Sequence, residues 1–366
     1  MARTQRLGVE AALVRGELVR GDVAVSDGRV VDVALNSARG RGIAAPGFVD
    51  LQVNGFAGVD FFSADANGYR RAGEALLQTG VTAYQPTFIT SPEVELGAAL
   101  RELPAQDGAV PRVLGAHLEG PFIAAERLGT HPAEARRDPD RALLERLLAS
   151  GHVTHMTLAP ELPGALELVQ FLRERGVTVS CGHSDATAVQ AHAAFACGAK
   201  TVTHIFNAMR PFAAREPGLA GAALASRGVS VQVILDGVHL ADDTARLVWQ
   251  AAAGRVALVT DAVAAAGVGD GSYRLASINV EVTDGVVRDG NSALAGSTVS
   301  MIEAVRNLVA LGAPLAAALA AASEIPGRIA GRADVGRLEP DARADVVILD
   351  DTLAIERVVA GGVDVL

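Results

Sequence analysis

The chain has 366 residues, half of them hydrophobic, and a formal net charge of −10 at pH 7. That charge argues against nucleic acid or an anionic membrane surface as a partner, and no apolar run approaches the ~20 residues of a membrane span. The N-terminus shows no apolar signal-peptide core. Two cysteines, Cys181 and Cys197, exclude a disulfide framework and favour a cytoplasmic location.

Short strands separated by glycine turns are typical of both ends of the chain. Near the N-terminus they are predicted at 11–14, 17–19, 22–25 and 29–33, with a hairpin turn at Ser26-Asp-Gly-Arg. Near the C-terminus they are predicted at 336–338, 344–349 and 355–363. The two ends therefore predict one small composite β-sandwich domain, formed by residues 1–45 and 335–366, beside a central domain at 46–334.

The central region alternates between apolar strands and helices. Eight strands are predicted at 47–53, 81–87, 113–119, 155–160, 177–183, 201–204, 229–236 and 256–261. Helices are predicted between most of them, at 66–79, 93–103, 140–149, 165–175, 186–197 and 242–253. This alternation favours a (β/α)8 TIM-like barrel. An open doubly wound sheet is the alternative, but no glycine-rich phosphate fingerprint follows the first strand.

Four of the predicted strands end on a polar side chain that could bind a metal or transfer a proton: Glu119, His183, His204 and Asp261. In a parallel barrel such strand ends meet at one rim. Two imidazoles and a carboxylate are a common ligand set for Zn²⁺ or Fe²⁺, and a second carboxylate can move protons beside the metal. The pattern therefore predicts a metal-assisted hydrolase.

Each of these residues also has a structural interpretation. Glu119 could cap a helix, Asp261 could stabilise a turn, and a single histidine among apolar neighbours is more often a hydrogen-bonded core residue. His117 is expected on the same side of its strand as Glu119, as a supporting or packed residue. Ser184 or Asp185 is expected to cap a helix that begins near Ala186.

The motifs, in this order along almost the whole chain, resemble the N-acetylglucosamine-6-phosphate deacetylase family of the amidohydrolase superfamily. They include His-Leu-Glu-Gly-Pro-Phe at 117–122, Gly-His-Ser-Asp-Ala at 182–186 and Thr-His-Ile-Phe-Asn-Ala-Met at 203–209. Further matches lie at 45–55, 215–221, 236–240, 258–262 and 294–297. The resemblance implies metal-dependent removal of acetate from N-acetylglucosamine 6-phosphate.

The resemblance also implies roles for individual residues. Glu119, His183 and His204 would hold one divalent metal, most simply Zn²⁺, with Fe²⁺, Co²⁺ and Mn²⁺ left open. Asp261 would activate water and then protonate the leaving amine, while His131 would polarise the acetyl carbonyl. The expected substrate-binding residues are Asn207, Ala208, Arg215 and His239. Arg215 would reach the site of a neighbouring subunit, which implies a homodimer.

Gln52 and Asn54 occupy the positions at which most amidohydrolases carry His-x-His. Amides are poor Zn²⁺ ligands where imidazoles are available, so we expect one metal in each subunit. The chain departs from the family pattern in two segments, residues 209–214 before Arg215 and residues 125–130 before His131. A deacetylase of another phosphosugar, such as N-acetylgalactosamine 6-phosphate, is the nearest alternative. A barrel without activity is the more distant one.

Overall fold

The computed structural model describes residues 4–36, 40–105 and 111–366, and it contains the predicted parallel barrel. The eight barrel strands are Phe48–Val53, Val81–Ile89, Ala116–Glu119, Val153–Leu158, Thr178–Cys181, Thr201–Val202, Ser230–Val233 and Val256–Leu258. A short strand, Arg112–Val113, also pairs with Val81–Ile89. Neighbouring barrel strands are parallel throughout, which confirms the predicted fold class.

The first and eighth strands close the barrel. Val53 forms a parallel bridge with Ala262, and the backbone N–H of Asp261 donates to the Gln52 carbonyl over 2.9 Å. Asp50 adds a buried side-chain link, since its carboxylate accepts the Thr260 hydroxyl at 2.6 Å and the Thr260 backbone N–H at 3.2 Å. Burial raises the pKa of Asp50 to about 7.

Helices cover the outside of the barrel. They are Ala66–Gln78, Glu93–Arg101, Arg141–Ser150, Ala165–Glu174, Ala188–Cys197, Gly218–Ala225, Asp242–Ala251, Met301–Ala310, Leu315–Ala322 and Glu324–Ile329. The six predicted helices are all present to within about two residues at each end. Four further helices were not predicted: Gly218–Ala225, Met301–Ala310, Leu315–Ala322 and Glu324–Ile329. Gly218–Ala225 is buried on nearly all sides and has no amphipathic pattern. Among the described residues, no helix is long and apolar enough to cross a membrane.

The prediction that Ser184 or Asp185 caps the helix near Ala186 is wrong. The helix begins at Ala188, and Thr187 is its N-cap. Thr187 and Gln190 form a capping box, in which each side chain satisfies a backbone N–H of the other residue. The Asp185 carboxylate is therefore available for other contacts.

Strands from both ends of the chain form the second layer of the structure. A six-stranded sheet has the order Val363–Asp364, Ile355–Ala360, Val346–Leu349, Ile43–Pro46, Ala11–Val14 and Glu17–Arg20. A three-stranded sheet contains Gln5–Arg6, Asp22–Ser26 and Arg29–Leu35. The two sheets share an apolar core that includes Leu7, Val25 and Ile348, as expected for a composite β-sandwich. The domain boundaries at 45 and 335 stay a prediction.

Two parts of the chain differ from the predicted strands. Residues 336–338 form no strand, because Leu338 packs into the β-sandwich core from an irregular segment. An antiparallel sheet of Gly271–Leu275, Ile278–Thr283 and Val286–Asp289, which was not predicted, follows the eighth barrel strand. A two-stranded pair, Gly55–Phe56 with Val59–Asp60, and three 3-10 turns, Phe61–Ser63, Ala125–Arg127 and Ala133–Ala135, complete the described elements.

Candidate metal centre and active site

Three of the predicted ligands meet at the rim of the barrel. Glu119 is the last residue of its strand, and His183 and His204 each lie two residues beyond the end of theirs. Glu119 Oε1 lies 3.1 Å from His183 Nε2 and 2.9 Å from His204 Nε2. The two Nε2 atoms are 3.1 Å apart. All three side chains are buried and could hold one metal ion.

The backbone bends sharply where these residues leave the strands. His183, His204 and Asp261 have positive φ angles of 48°, 27° and 50°. Such angles are unfavourable for residues other than glycine and are often found at functional sites. The bends explain why three barrel strands end before the predicted residue, since each bend takes the side chain out of the strand and into the centre of the rim.

Hydrogen bonds within the cluster control its protonation. Burial would raise the pKa of Glu119, but the contacts of its carboxylate with the imidazoles of His183 and His204 outweigh burial and hold that pKa well below its usual range. Burial lowers the pKa of His204, yet the bond to Glu119 outweighs this effect and raises it. The cluster therefore holds a carboxylate beside a basic imidazole, so a cation that binds there must compete with a proton.

The donor set fits a divalent metal. The His183 Nδ1–H donates to the carbonyl of Arg127 over 2.9 Å, so a neutral His183 ring turns the lone pair of Nε2 toward Glu119. A lone pair facing a carboxylate oxygen is repulsive, and a cation between them makes the contact favourable. Ligand atoms about 2.0–2.1 Å from a tetrahedral Zn²⁺ lie about 3.3 Å apart, close to the separations in this cluster. The same ligands also suit Fe²⁺, Co²⁺ and Mn²⁺.

The amides of the first strand bind the carboxylates of the rim. Gln52 Nε2 donates to Glu119 Oε1 over 3.1 Å and to Asp261 Oδ1 over 3.0 Å. Asn54 Nδ2 donates to the same Asp261 oxygen over 2.7 Å. These amides therefore hold the two carboxylates in place, and one metal in each subunit stays a prediction.

Asp261 has one occupied and one available carboxylate oxygen. Oδ1 accepts both amide N–H groups, and no described residue donates to Oδ2. Burial, followed by the negative charge of Glu119, raises the pKa of Asp261 to about 6. A carboxyl group with this pKa can accept and release a proton near neutral pH.

Residues of the last predicted motif, 294–297, hold the backbone beside Asp261. Ser297 Oγ donates to the Thr260 carbonyl over 2.5 Å. Gly296 has a φ of +79°, and a Cβ at this position would lie 2.7 Å from the Asp261 carbonyl oxygen. The close approach of the backbone at Gly296 to the backbone at Asp261 therefore requires glycine at position 296. Asp50 and Ser297 support Asp261 from both sides, although sequence analysis assigned neither residue a role.

His131 faces the ligand cluster. Its Nε2 lies 3.8 Å from Glu119 Oε2, and its ring centroid lies 4.3 Å from that of His183. The Thr90 backbone N–H donates to His131 Nδ1 over 3.4 Å. Burial holds the pKa of His131 well below its usual range, so the ring is neutral. In the tautomer in which Nδ1 accepts from Thr90, Nε2–H is the donor that faces the pocket.

A pocket of about 230 Å³ connects most of the predicted site residues. Its lining contains Glu119, His131, His183, His204, Asn207, Ala208, His239 and Asp261. Leu275, Ala293 and Leu294 line it from the unpredicted antiparallel sheet and the segment that follows. This wall was not predicted, although the alternation at 278–282 and the Asp-Gly turn at 284–285 are hairpin signals.

His239 has a charged partner that sequence analysis did not identify. Its Nδ1–H donates to Asp236 Oδ2 over 2.7 Å, three residues earlier in the chain. The contact leaves Nε2 available to the pocket. By contrast, His117 is a packed residue, because its two nitrogens contact the hydroxyls of Thr87 at 3.1 Å and Thr157 at 2.7 Å.

Arg215 does not join the other predicted residues. It is exposed and is absent from the described lining of the pocket. It lies at the tip of a tight turn closed by two backbone hydrogen bonds between Ala213 and Glu216, of 3.1 and 3.2 Å. The Glu216 carboxylate accepts the Ala188 N–H over 2.8 Å and anchors this turn to a barrel helix. Arg215 is therefore presented outward on a fixed support.

Comparison with known proteins agrees with this geometry. Residues 43–364 match the model of the amidohydrolase family. The mouse N-acetylglucosamine-6-phosphate deacetylase is 37% identical over 95% of this chain and 92% of its own length. The N-acetylgalactosamine-6-phosphate deacetylase of Escherichia coli O157:H7 is 38% identical over 86% of each chain.

A solved structure is similar over the whole chain. It is a mutant of the Mycobacterium smegmatis N-acetyl-D-glucosamine-6-phosphate deacetylase in complex with N-acetyl-D-glucosamine-6-phosphate. It superposes with a TM-score of 0.94 at 36% identity and covers 99% of each chain. The resemblance seen in the motifs is confirmed, and the chain belongs to the amidohydrolase family of hydrolases.

Proposed function

We propose that the protein hydrolyses the acetamide of N-acetylglucosamine 6-phosphate and releases acetate and glucosamine 6-phosphate. The observation that carries this proposal is the single pocket that contains the Glu119–His183–His204 cluster, Asp261 and His131. Relatives named for this reaction match nearly the whole chain. We further propose one divalent metal in each subunit, most simply Zn²⁺, held by Glu119, His183 and His204. Both cysteines of the described chain are free, which suits a cytoplasmic enzyme.

The bound metal would supply Lewis acidity that acidifies a water molecule and polarises the acetyl carbonyl. Asp261 accepts the proton of the attacking water at its available oxygen, Oδ2. The amides of Gln52 and Asn54 hold the other oxygen and so orient the carboxylate. The negative charge that develops on the acetyl oxygen is stabilised by the His131 Nε2–H.

The same carboxyl group completes the reaction. Once protonated, Asp261 donates its proton to the departing amine, and acetate leaves without any covalent acyl-enzyme. The pKa of about 6 suits both steps, because the group is mostly ionised before attack and still acidic enough to protonate an amine. His239 and Arg215 act on the phosphate, away from the reacting bond, where their binding energy helps to orient the substrate.

The proposed homodimer rests on Arg215 and on an apolar groove beside it. The groove has a volume of about 700 Å³, and Phe206, Phe212, Leu224 and Leu247 contribute to its lining together with His239. Phe212 and Leu247 are 57% and 56% exposed. Exposed apolar surface of this kind is typical of protein interfaces. If a partner subunit packs against this groove, we expect Arg215 of one subunit to lie close to the His239 end of the other subunit's pocket.

The first experiment measures acetate release from N-acetylglucosamine 6-phosphate by the purified protein, before and after chelation and Zn²⁺ addition. We expect turnover that chelation abolishes and metal restores. N-acetylgalactosamine 6-phosphate and unphosphorylated N-acetylglucosamine serve as comparison substrates. Greater kcat/KM on the galactosamine compound would replace the proposed substrate by that of the Escherichia coli relative. Absence of turnover on all three compounds would contradict a deacetylase.

Asp261→Asn tests the proton-transfer role. The amide keeps the size of the side chain but cannot accept and return a proton, so kcat should fall about 10²–10⁴-fold. Metal content should remain that of the wild type, since the ligands are unchanged. Elemental analysis and steady-state kinetics measure the two properties. Near-normal kcat in this variant would show that another group transfers the proton.

Arg215→Ala tests phosphate binding across subunits. Loss of charge-assisted hydrogen bonds to phosphate should raise KM about 10–100-fold. Co-expression of differently tagged Arg215→Ala and Asp261→Asn chains should restore activity, because a mixed dimer contains one intact site. Random pairing restores about one quarter of the sites. Purified mixed dimers with no activity above either parent would show that Arg215 does not act in trans.

A further inference from the structure

The Asp185 carboxylate lies between two arginines from different segments of the rim. Arg127 Nη2 lies 2.6 Å from Asp185 Oδ1, and its Nε donates to the same oxygen over 2.8 Å. Arg210 Nη2 lies 2.5 Å from the other oxygen, Oδ2, and its Nε donates to the Asp185 carbonyl over 2.7 Å. Each guanidinium therefore has its own carboxylate oxygen.

A second carboxylate holds this loop from the opposite side. Glu161 Oε2 accepts the Ser184 hydroxyl over 2.7 Å, and Glu161 Oε1 accepts the Asp185 backbone N–H over 2.5 Å. The contacts with Glu161 therefore hold the loop that carries His183 independently of either arginine. Asp185 is consequently a firm anchor rather than a mobile surface charge.

Arg127 connects the anchor to the flap, which we define as residues 122–131. The Arg127 carbonyl accepts the His183 Nδ1–H over 2.9 Å, and the Ala124 N–H donates to the His183 carbonyl over 2.9 Å. His131 follows four residues after Arg127. The contact with Asp185 therefore holds the part of the flap that presents His131 to the pocket.

Arg210 connects the same anchor to a second segment, which we call the arm and define as residues 205–216. The Arg210 N–H donates to the Ser184 carbonyl, and the Ser184 N–H donates to the Ala208 carbonyl, each over 3.0 Å. Asn207 and Ala208 line the pocket at one end of the arm. Arg215 lies near its other end.

We propose that Asp185 is a positioning residue that joins the flap and the arm over the phosphosugar. Its single negative charge attracts both guanidinium groups, and without it two positive charges would face each other and repel. The three side chains are 26–34% exposed, so water screens these forces only in part. The inference rests on the proposed function for its kinetic part, but not for its structural part.

The two arginines should have different kinetic effects. Arg127→Ala frees the flap, so loss of His131 alignment should lower kcat about tenfold with a smaller change in KM. Arg210→Ala frees the arm, so KM for the phosphosugar should rise about tenfold with a smaller change in kcat. Asp185→Ala should show both effects. Arg127→Lys keeps a charge that can reach one carboxylate oxygen and should recover most of the lost kcat.

Hydrogen–deuterium exchange of the intact protein, followed by mass spectrometry, tests the link without reference to activity. Asp185→Ala should speed exchange about tenfold in peptides of both the flap and the arm. Arg127→Ala should affect the flap alone and Arg210→Ala the arm alone. Arg146→Ala is the matched control, because Arg146 contacts Glu93 at 2.6 Å on the outside of the barrel. This control should change neither exchange nor kinetics.

Unchanged exchange in both segments of Asp185→Ala would overturn the proposal, as would equal changes in the Arg146→Ala control. If Asp185→Ala does not fold, the two arginine variants still decide the question, since each leaves Asp185 with one partner. Faster exchange in both the flap and the arm of either arginine variant, with KM and kcat changed equally, would also overturn the proposal. A wild-type protein that releases no acetate would refute the proposed function, while the exchange results would still settle the link.

Discussion

The buried charge of Glu119 is the constraint on which the rest of the site depends. A carboxylate removed from water at the barrel rim is costly unless it is paired and hydrogen-bonded. Here Oε1 accepts Gln52 Nε2 at 3.1 Å and His204 Nε2 at 2.9 Å, with His183 Nε2 at 3.1 Å. Residues from four barrel strands or strand ends, together with the flap, are therefore drawn to one point. A cation at that point satisfies the charge more fully than a shared proton.

Barrel closure places Asp261, the proposed proton-transfer group, beside this charge. Asp261 follows the eighth strand, and the links from Asp50 and Gln52 hold that strand against the first. The Gln52 amide that donates to Glu119 also donates to Asp261, so the two carboxylates remain close despite their repulsion. This repulsion adds to burial and raises the pKa of Asp261 toward neutrality. The contacts that close the barrel therefore also place Asp261 where its pKa is raised.

Much of the barrel could be predicted because its strands are continuous apolar runs and its helices have amphipathic patterns. Strand ends were less predictable, since the positive φ angles at His183, His204 and Asp261 depend on tertiary contacts. The helix Gly218–Ala225 is buried on nearly all sides, so no period marks it. Ser184 or Asp185 was predicted to cap a helix from local sequence alone, whereas Thr187 caps it and long-range partners contact Asp185.

The site was predictable in part for a similar reason. The proposed metal ligands and Asp261 end predicted strands, and parallel strand ends in a barrel must meet. The contact of Arg127 with Asp185 has no signature in the sequence. The contact of Asp236 with His239 was not predicted either, although the two residues are only three positions apart. The position of Arg215 on an exposed turn follows from the contacts of Glu216 with a helix that is distant in the chain.

We propose that Glu119, His183 and His204 form one metal site and that Gln52 and Asn54 do not form a second. Native mass spectrometry of the wild-type protein and of Glu119→Gln, titrated with Zn²⁺ at neutral pH, tests both statements. We expect one tightly bound ion in each wild-type chain and loss of that ion in the variant. Two ions per wild-type chain, or an undiminished ion in Glu119→Gln, would contradict the proposal.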